Sequence, residues 1–271
     1  MSKGSKIPLY QVDAFTSKPF SGNPAAVCIL EDETSSDNML KIAAEMNFSE
    51  TAFVGPVDDD GLRKLQWFTP KVEVPLCGHA TLATSHVLLR EIGVDPPLRF
   101  ETLSGILTVE EEQDWIRMDF PADPPVPEDA PEGLLEALGC PADSPTAKAE
   151  KIWIVRLGSE KKVKDLDPDM AALAKVELGE TQLGVSVTAP GTAGYDFSSR
   201  FFGPWVGVDE DPVTGSAHTA LGPYWMDELK SEALRARQVS ARDGKLRVRM
   251  DGDRVHVSGQ AVTVVKGTLQ Y

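Results

Sequence analysis

The chain has 271 residues, with 27 Lys and Arg against 42 Asp and Glu and a formal net charge of −15 at pH 7. Duplex nucleic acid demands clustered Lys and Arg, and no such block occurs, so a nucleic-acid partner is not expected. Hydrophobic residues at 41% and charged residues at 25% are ordinary for a globular protein long enough for one large domain or two modest ones.

The opening MSKGSKIPLYQVDAF has no apolar signal-like core. No apolar run approaches the ~18–20 residues that span a bilayer, so no membrane partner is expected. Cys28, Cys77 and Cys140 are odd in number and far apart, which argues for a reducing compartment. The expected location is the cytoplasm.

LYQVDAF alternates apolar and polar residues and predicts a strand. PFSGNPAAVCIL predicts a turn and then an apolar strand over Ala25 to Leu30. Ser36 or Asp37 is the expected cap of a helix through NMLKIAAEMN, with Met39, Ile42, Ala43 and Met46 on one face and Asn47 at its end. SETAFV is a short strand opening at Glu50, and LRKLQWFT alternates again. KVEVPLCGHATLATSHVLLREIG holds a turn and a long helix stopped by Gly93. FETLSGILTVEEEQDWIRMDF predicts two or three antiparallel strands turning at Ser104-Gly105.

The texture then changes. Five prolines fall between Pro121 and Pro131, the mark of an extended connector between two halves. Beyond it come a short helix in GLLEALG and a strand in KIWIVRLG. A helix in DLDPDMAALAKVE has Asp167 as its expected cap, and a strand in QLGVSVTAP follows. YDFSSRFFGPWVGVDEDPVTGSAHTALGPYWMDEL ends in a helix. KLRVRMDGDRVHVSGQAVTVVKGTL predicts hairpins, the first turning at Asp251-Gly252-Asp253.

CGHATLA at 77–83 and TGSAHTA at 214–220 are alike: each puts glycine and a polar residue before an Ala-rich helix. That pairing predicts an internal duplication. Antiparallel strands mixed with helices predict an α+β fold.

A helix N-terminus offers unpaired N–H groups and partial positive charge, and glycine admits close approach. The two turns, with Gly78 and Gly215, therefore read either as binding sites for a small carboxylate or as ordinary helix starts. Glu50, set between Phe48 and AFV, reads as a general acid/base in a partly dry pocket or as a surface glutamate. His79 reads as a contact to a substrate oxygen or as a structural histidine. Asp211 can cap the second turn or touch ligand, with Asp209 and Glu210 in competition. Ser216 can hydrogen-bond a ligand carboxylate. His79 and His86 stand two helical turns apart without a third ligand at metal spacing, and His218 and His256 are isolated, so no metal is expected. Neither a nucleophile elbow nor a phosphate- or dinucleotide-binding glycine motif occurs.

VDAFTSKPFSGNPAAV, MNFSETAFV, FTPKVEVPLCGHATLATSHVL, RFFGPWVGVDEDPVTGSAHTALGPYW and VSGQAVTVVKGTL, in that order, resemble the PhzF family. These are phenazine-biosynthesis-like isomerases that share the diaminopimelate epimerase fold. The resemblance covers essentially the whole chain. It implies two pseudo-symmetric halves, each a barrel-like antiparallel or mixed sheet around a central helix, with the active site in the cleft between them. The halves expected are 1–120, joined by the last strand at about 259–271, and 121–258. The resemblance further implies a cofactor-independent isomerase, often a homodimer, acting on a small carboxylate-bearing substrate. Glu50 is then the acid/base, His79 and Asp211 assist, and Gly78, Gly215 and Ser216 bind substrate.

Two other functions stay open: an epimerase or racemase of a small amino or hydroxy acid, and a non-catalytic partner-binding protein with a vestigial site. The wider fold hosts two-cysteine racemases, but the position matching Cys77 in the second turn is Thr214, far too weak an acid for that chemistry. Cys77 is therefore expected to be a packed thiol, with Cys77→Ala retaining activity.

Overall fold

The computed structural model describes residues 6–271. They form two compact units, one running to Asp119 and including Ser258–Tyr271, the other Phe120–Val257.

In chain order the first unit holds β1 (Lys6–Ala14), β2 (Asn23–Ile29), α1 (Ser36–Met46), β3 (Thr51–Val57), β4 (Arg63–Phe68), β5 (Glu73–Val74) and α2 (Gly78–His86). A π-helical turn, Val87–Ile92, extends α2 and ends at Gly93 in the left-handed region. Next come β6 (Leu98–Thr102), β7 (Gly105–Glu112) and β8 (Trp115–Pro121). The predicted hairpin region is thus three strands, turning at Ser104 as expected.

The second unit holds β9 (Val126–Pro127), α3 (Leu134–Leu138), β10 (Thr146–Lys148), β11 (Ile152–Arg156), α4 (Glu160–Lys164), α5 (Met170–Leu173) and β12 (Gly184–Pro190). It continues through β13 (Phe197–Gly203), β14 (Val208–Asp211), α6 (His218–Leu229), β15 (Ala233–Gln238), β16 (Gly244–Asp251) and β17 (Arg254–Gly259), and β18 (Ala261–Gln270) returns to the first unit.

The two units share one pairing pattern. In the first, β1/β2 is antiparallel, β2/β3 parallel, β3/β4 antiparallel, β4/β6 parallel and β6/β7 antiparallel. In the second, β10/β11, β11/β12, β12/β13, β13/β15 and β15/β16 repeat that alternation. β5 lies antiparallel on β4, as β14 does on β13, and α2 and α6 follow at the same point of each half. Parallel steps need helical crossovers, which explains helices inside an otherwise antiparallel pattern.

The central helix of the first unit, α2, is buried at every residue from Gly78 to Ser85 and packs on β1, β2, β3 and β18. Its Thr81, Thr84 and Ser85 hydroxyls donate to the carbonyls of Cys77, Ala80 and Thr81, so its polar groups are satisfied within the helix. α1 instead covers the other sheet face, with Met39, Ile42 and Ala43 against Phe53 and Phe68. α6 is glycine-bearing for a packing reason: a Cβ at Gly222 would stand 2.7 Å from Val248 Cγ1.

Three expectations about helices need correction. The cap of α1 is Ser35, whose Oγ accepts from the Asn38 N–H, while Ser36 and Asp37 lie inside the first turn. The cap of α5 is Asp169, not Asp167, and that helix is only four residues long. A short helix absent from the sequence reading, α4, is capped by Ser159.

Gly22, in the turn between β1 and β2, has φ +67, and a Cβ there would stand 2.1 Å from the Ala14 carbonyl oxygen and 2.9 Å from Thr16 Cγ2. Both strain and a backbone clash oppose any side chain. Gly22→Ala is expected to cost more than about 2 kcal/mol. Urea unfolding checks this; an unchanged midpoint contradicts it.

Candidate active site

Asn47 ends α1 in a left-handed conformation, φ 53, and turns the chain through Phe48, Ser49 and Glu50 into β3. Side chains alternate along the strand, so Thr51 and Phe53 face α1 while Glu50, Ala52 and Val54 share the opposite face. Glu50 is thereby brought to the first turn of α2. Its Oε2 lies 3.4 Å from His79 Nε2, with the Glu50 side chain 19% exposed and that of His79 6%. Ser49 Oγ is also 3.4 Å from Nε2. The other ring nitrogen, Nδ1, is 3.5 Å from Cys77 Sγ.

Glu50, Cys77 and His79 thus bring ligand-type atoms within 4.8 Å of one another. The sequence pairs His79 with His86 in the search for a metal, whereas the fold supplies a carboxylate and a thiol. The two ring nitrogens have different nearest partners, Nε2 the Glu50 carboxylate and Nδ1 the Cys77 thiol. The other two thiols are unsuited to proton chemistry: burial pushes Cys28 up to about 12 and Cys140 up to about 11.

Within the second unit, the turn before α6 is organised around Asp211 and Thr214. Thr214 Oγ1 donates to Asp211 Oδ2 at 2.6 Å. The fully buried Gln238 accepts from the Thr214 N–H at 2.9 Å and donates to the Asp211 carbonyl at 2.7 Å. Ser240 Oγ fastens the Pro212 carbonyl at 2.7 Å. Of the competing acids, Glu210 is taken by Arg200, at 2.7 and 2.8 Å, and Asp209 is exposed.

Gly215 and Ser216 sit in a tighter turn, where the His218 N–H reaches the Gly215 carbonyl and the Thr219 N–H that of Ser216. α6 therefore starts at His218, three residues after its glycine, whereas α2 starts at Gly78 itself. The two turns nonetheless match at one point. The carbonyl before each glycine is held by the side chain four residues on: Cys77 by Thr81 at 2.6 Å, Thr214 by His218 at 2.8 Å. His218 is a structural residue, its ring tilted against Phe197 and pushed down to about 4 by burial, so it is neutral near pH 7.

Sequence reasoning missed Gln238, Ser240 and Ser49. Gln238 and Ser240 lie at and just beyond the end of β15 and carry no local motif; Ser49 adjoins Glu50 and was available to the eye.

The PhzC-PhzF family model, described as phenazine biosynthesis-like protein, matches residues 12–267. The chain belongs to this family. Among its relatives is a Pseudomonas aeruginosa protein named an uncharacterized isomerase, 49% identical over 97% of this chain and 99% of its own length. An uncharacterized isomerase of Halalkalibacterium halodurans is 44% identical over 97% of this chain and 98% of its own. The solved structure of a phenazine biosynthesis protein of the PhzF family from Enterococcus faecalis superposes with a TM-score of 0.91 at 38% identity, covering 98% of this chain and 99% of that one. The PhzF assignment and the α+β, epimerase-like fold expected from the sequence are both borne out. A hydroxyproline epimerase from Agrobacterium vitis shares the fold at a TM-score of 0.61 and 10% identity. No helix among the described residues is long and apolar enough to cross a membrane.

Proposed function

We propose that this PhzF-family chain is a cofactor-independent isomerase that moves a proton within a small carboxylate-bearing substrate, with Glu50 as the acid/base. The observation that carries the reading is the 3.4 Å approach of the partly exposed Glu50 carboxylate to the buried His79 ring. A substrate C–H bond breaks toward Glu50, and its electron pair enters the substrate's own conjugated system. The carboxyl then returns the proton at another carbon, so nothing is oxidised or reduced. His79 orients Glu50, and an imidazole there can exchange protons with it. Asp211 assists, while Gly78, Gly215 and Ser216 bind substrate. The names of the two bacterial relatives support isomerase chemistry.

The epimerase alternative is less favoured, because a second thiol-like acid is missing: the Thr214 hydroxyl is committed to Asp211 at 2.6 Å.

The test is proton NMR in deuterium oxide with a panel of small cyclic and linear unsaturated carboxylic acids. The expected result is enzyme-dependent loss of one C–H signal together with an isomeric product. Exchange at a stereocentre with inversion supports the epimerase instead. Absence of exchange across the panel favours the non-catalytic alternative.

A further inference from the structure

We infer that Cys77 is a positioning residue: its thiol fixes His79 as the tautomer that carries its proton on Nε2, facing Glu50. The inference rests on the proposed roles of Glu50 and His79, and it replaces the view of Cys77 as packing alone.

The ring of His79 is buried, so each of its nitrogens must find a partner within the protein. Two groups stand at Nε2: the Ser49 hydroxyl, which can accept or donate, and the Glu50 carboxylate, which can only accept, so the neutral ring that satisfies both presents Nε2–H. Nδ1 is then a bare lone pair that needs a donor. The group at Nδ1 is the Cys77 thiol at 3.5 Å, and a thiol is a donor, though a weak one.

The position of the thiol is not incidental. Cys77 occupies the capping position of α2 with φ −146 and ψ 109, yet its side chain makes no cap hydrogen bond. Its carbonyl meanwhile accepts from both the Thr81 hydroxyl at 2.6 Å and the Thr81 N–H at 3.1 Å. The backbone of Cys77 is therefore anchored by the helix it precedes, and the thiol is held against the ring.

The experiment uses full-length protein labelled with nitrogen-15 in histidine and no substrate. Two-bond proton–nitrogen spectra report the tautomer of each imidazole, and His79 is assigned by the signals lost in His79→Asn. In the wild type at neutral pH, His79 is expected as the Nε2–H form. Cys77→Ala is expected to shift the tautomer ratio toward Nδ1–H by about fivefold, the scale of one lost hydrogen bond. Cys77→Ser, which restores a donor, is expected to hold the wild-type ratio. If Cys77→Ala fails to fold, the nearly isosteric Cys77→Val makes the same comparison. An Nδ1–H ring in the wild type overturns the inference, as does a ratio unchanged in the donor-less variant. Because the readout needs no substrate, a failed exchange panel with a thiol-dependent tautomer counts against the isomerase reading and not against this one.

Discussion

Glu50→Gln is expected to lower proton exchange into the isomerised acid by about 1000-fold or more, within the ~10²–10⁴ range by which positioned acid/base groups contribute. The substitution is nearly isosteric. The amide oxygen can still accept from His79 Nε2, so the 3.4 Å contact survives in kind while the proton acceptor is gone. Glu50 precedes β3 and is not part of its ladder, whose pairing begins at Thr51 against Phe68. With its side chain 19% exposed, the residue holds little of the core together, and stability is expected to change by less than about 1 kcal/mol. Binding of an unreactive substrate-like acid should persist, because the proposed carboxylate contacts lie at the glycine turns. Exchange within tenfold of the wild-type rate would remove Glu50 from the chemistry and leave the mechanism without its base.

The same residues show what can be read from sequence. α1 was legible because one face alone is buried: Met39, Ile42 and Ala43 recur at helical spacing. α2 gave no such stripe, since Gly78 to Ser85 are buried all round, and only the glycine turn and Gly93 marked its limits. α4 escaped because five residues are too few for a period. Its stability comes from Ser159 and Ser198 at one end and from the Arg200 guanidinium on the Val163 and Lys164 carbonyls at the other. The caps of α1 and α5 were misplaced by one or two residues because Ser35, Ser36 and Asp37, or Asp167 and Asp169, are chemically equivalent as caps.

Site residues divide in the same way. Glu50 and His79 were each visible in local motifs, but their contact is a product of strand parity in β3 and the placement of α2. The polar role of Cys77 could not be read at all: its thiol can cap the helix, pack, or reach Nδ1, and only the backbone angles at residue 77 choose. Gln238 comes to Thr214 only through the parallel pairing of β15 with β13, a long-range event with no local signature.

A second carboxylate is expected to behave in the opposite way to Glu50. Glu160, at the start of α4, is 4% exposed. Burial alone would push its carboxyl up, but the Lys164 ammonium and the Ser198 and Thr192 hydroxyls more than offset this, and it falls from 4.5 to about 2. Lys164 Nζ lies 2.5 Å from Oε1, and Ser198 Oγ donates to Oε2 at 2.6 Å, which pins α4 to β13. A carboxyl depressed in the folded state contributes its full stability above its unfolded value, near 4.5, and loses it as the pH falls toward about 2. Glu160→Gln should therefore cost about 2–3 kcal/mol at pH 7 and less than about 1 kcal/mol near pH 2.5. Urea unfolding of both proteins at the two pH values reads the difference directly, and a penalty equal at both would show that the lost contacts are packing and not charge. Because β13 also stacks Phe197 on Trp225 and pairs with β14, where Asp211 ends, loosening it is expected to lower the unfolding midpoint of the second unit first. Proton exchange per folded molecule should stay near wild type, since Glu50 and His79 are untouched. One carboxylate thus loses chemistry with its fold intact, the other loses stability with its chemistry intact, and the pair of variants separates the catalytic use of a carboxylate from its structural use.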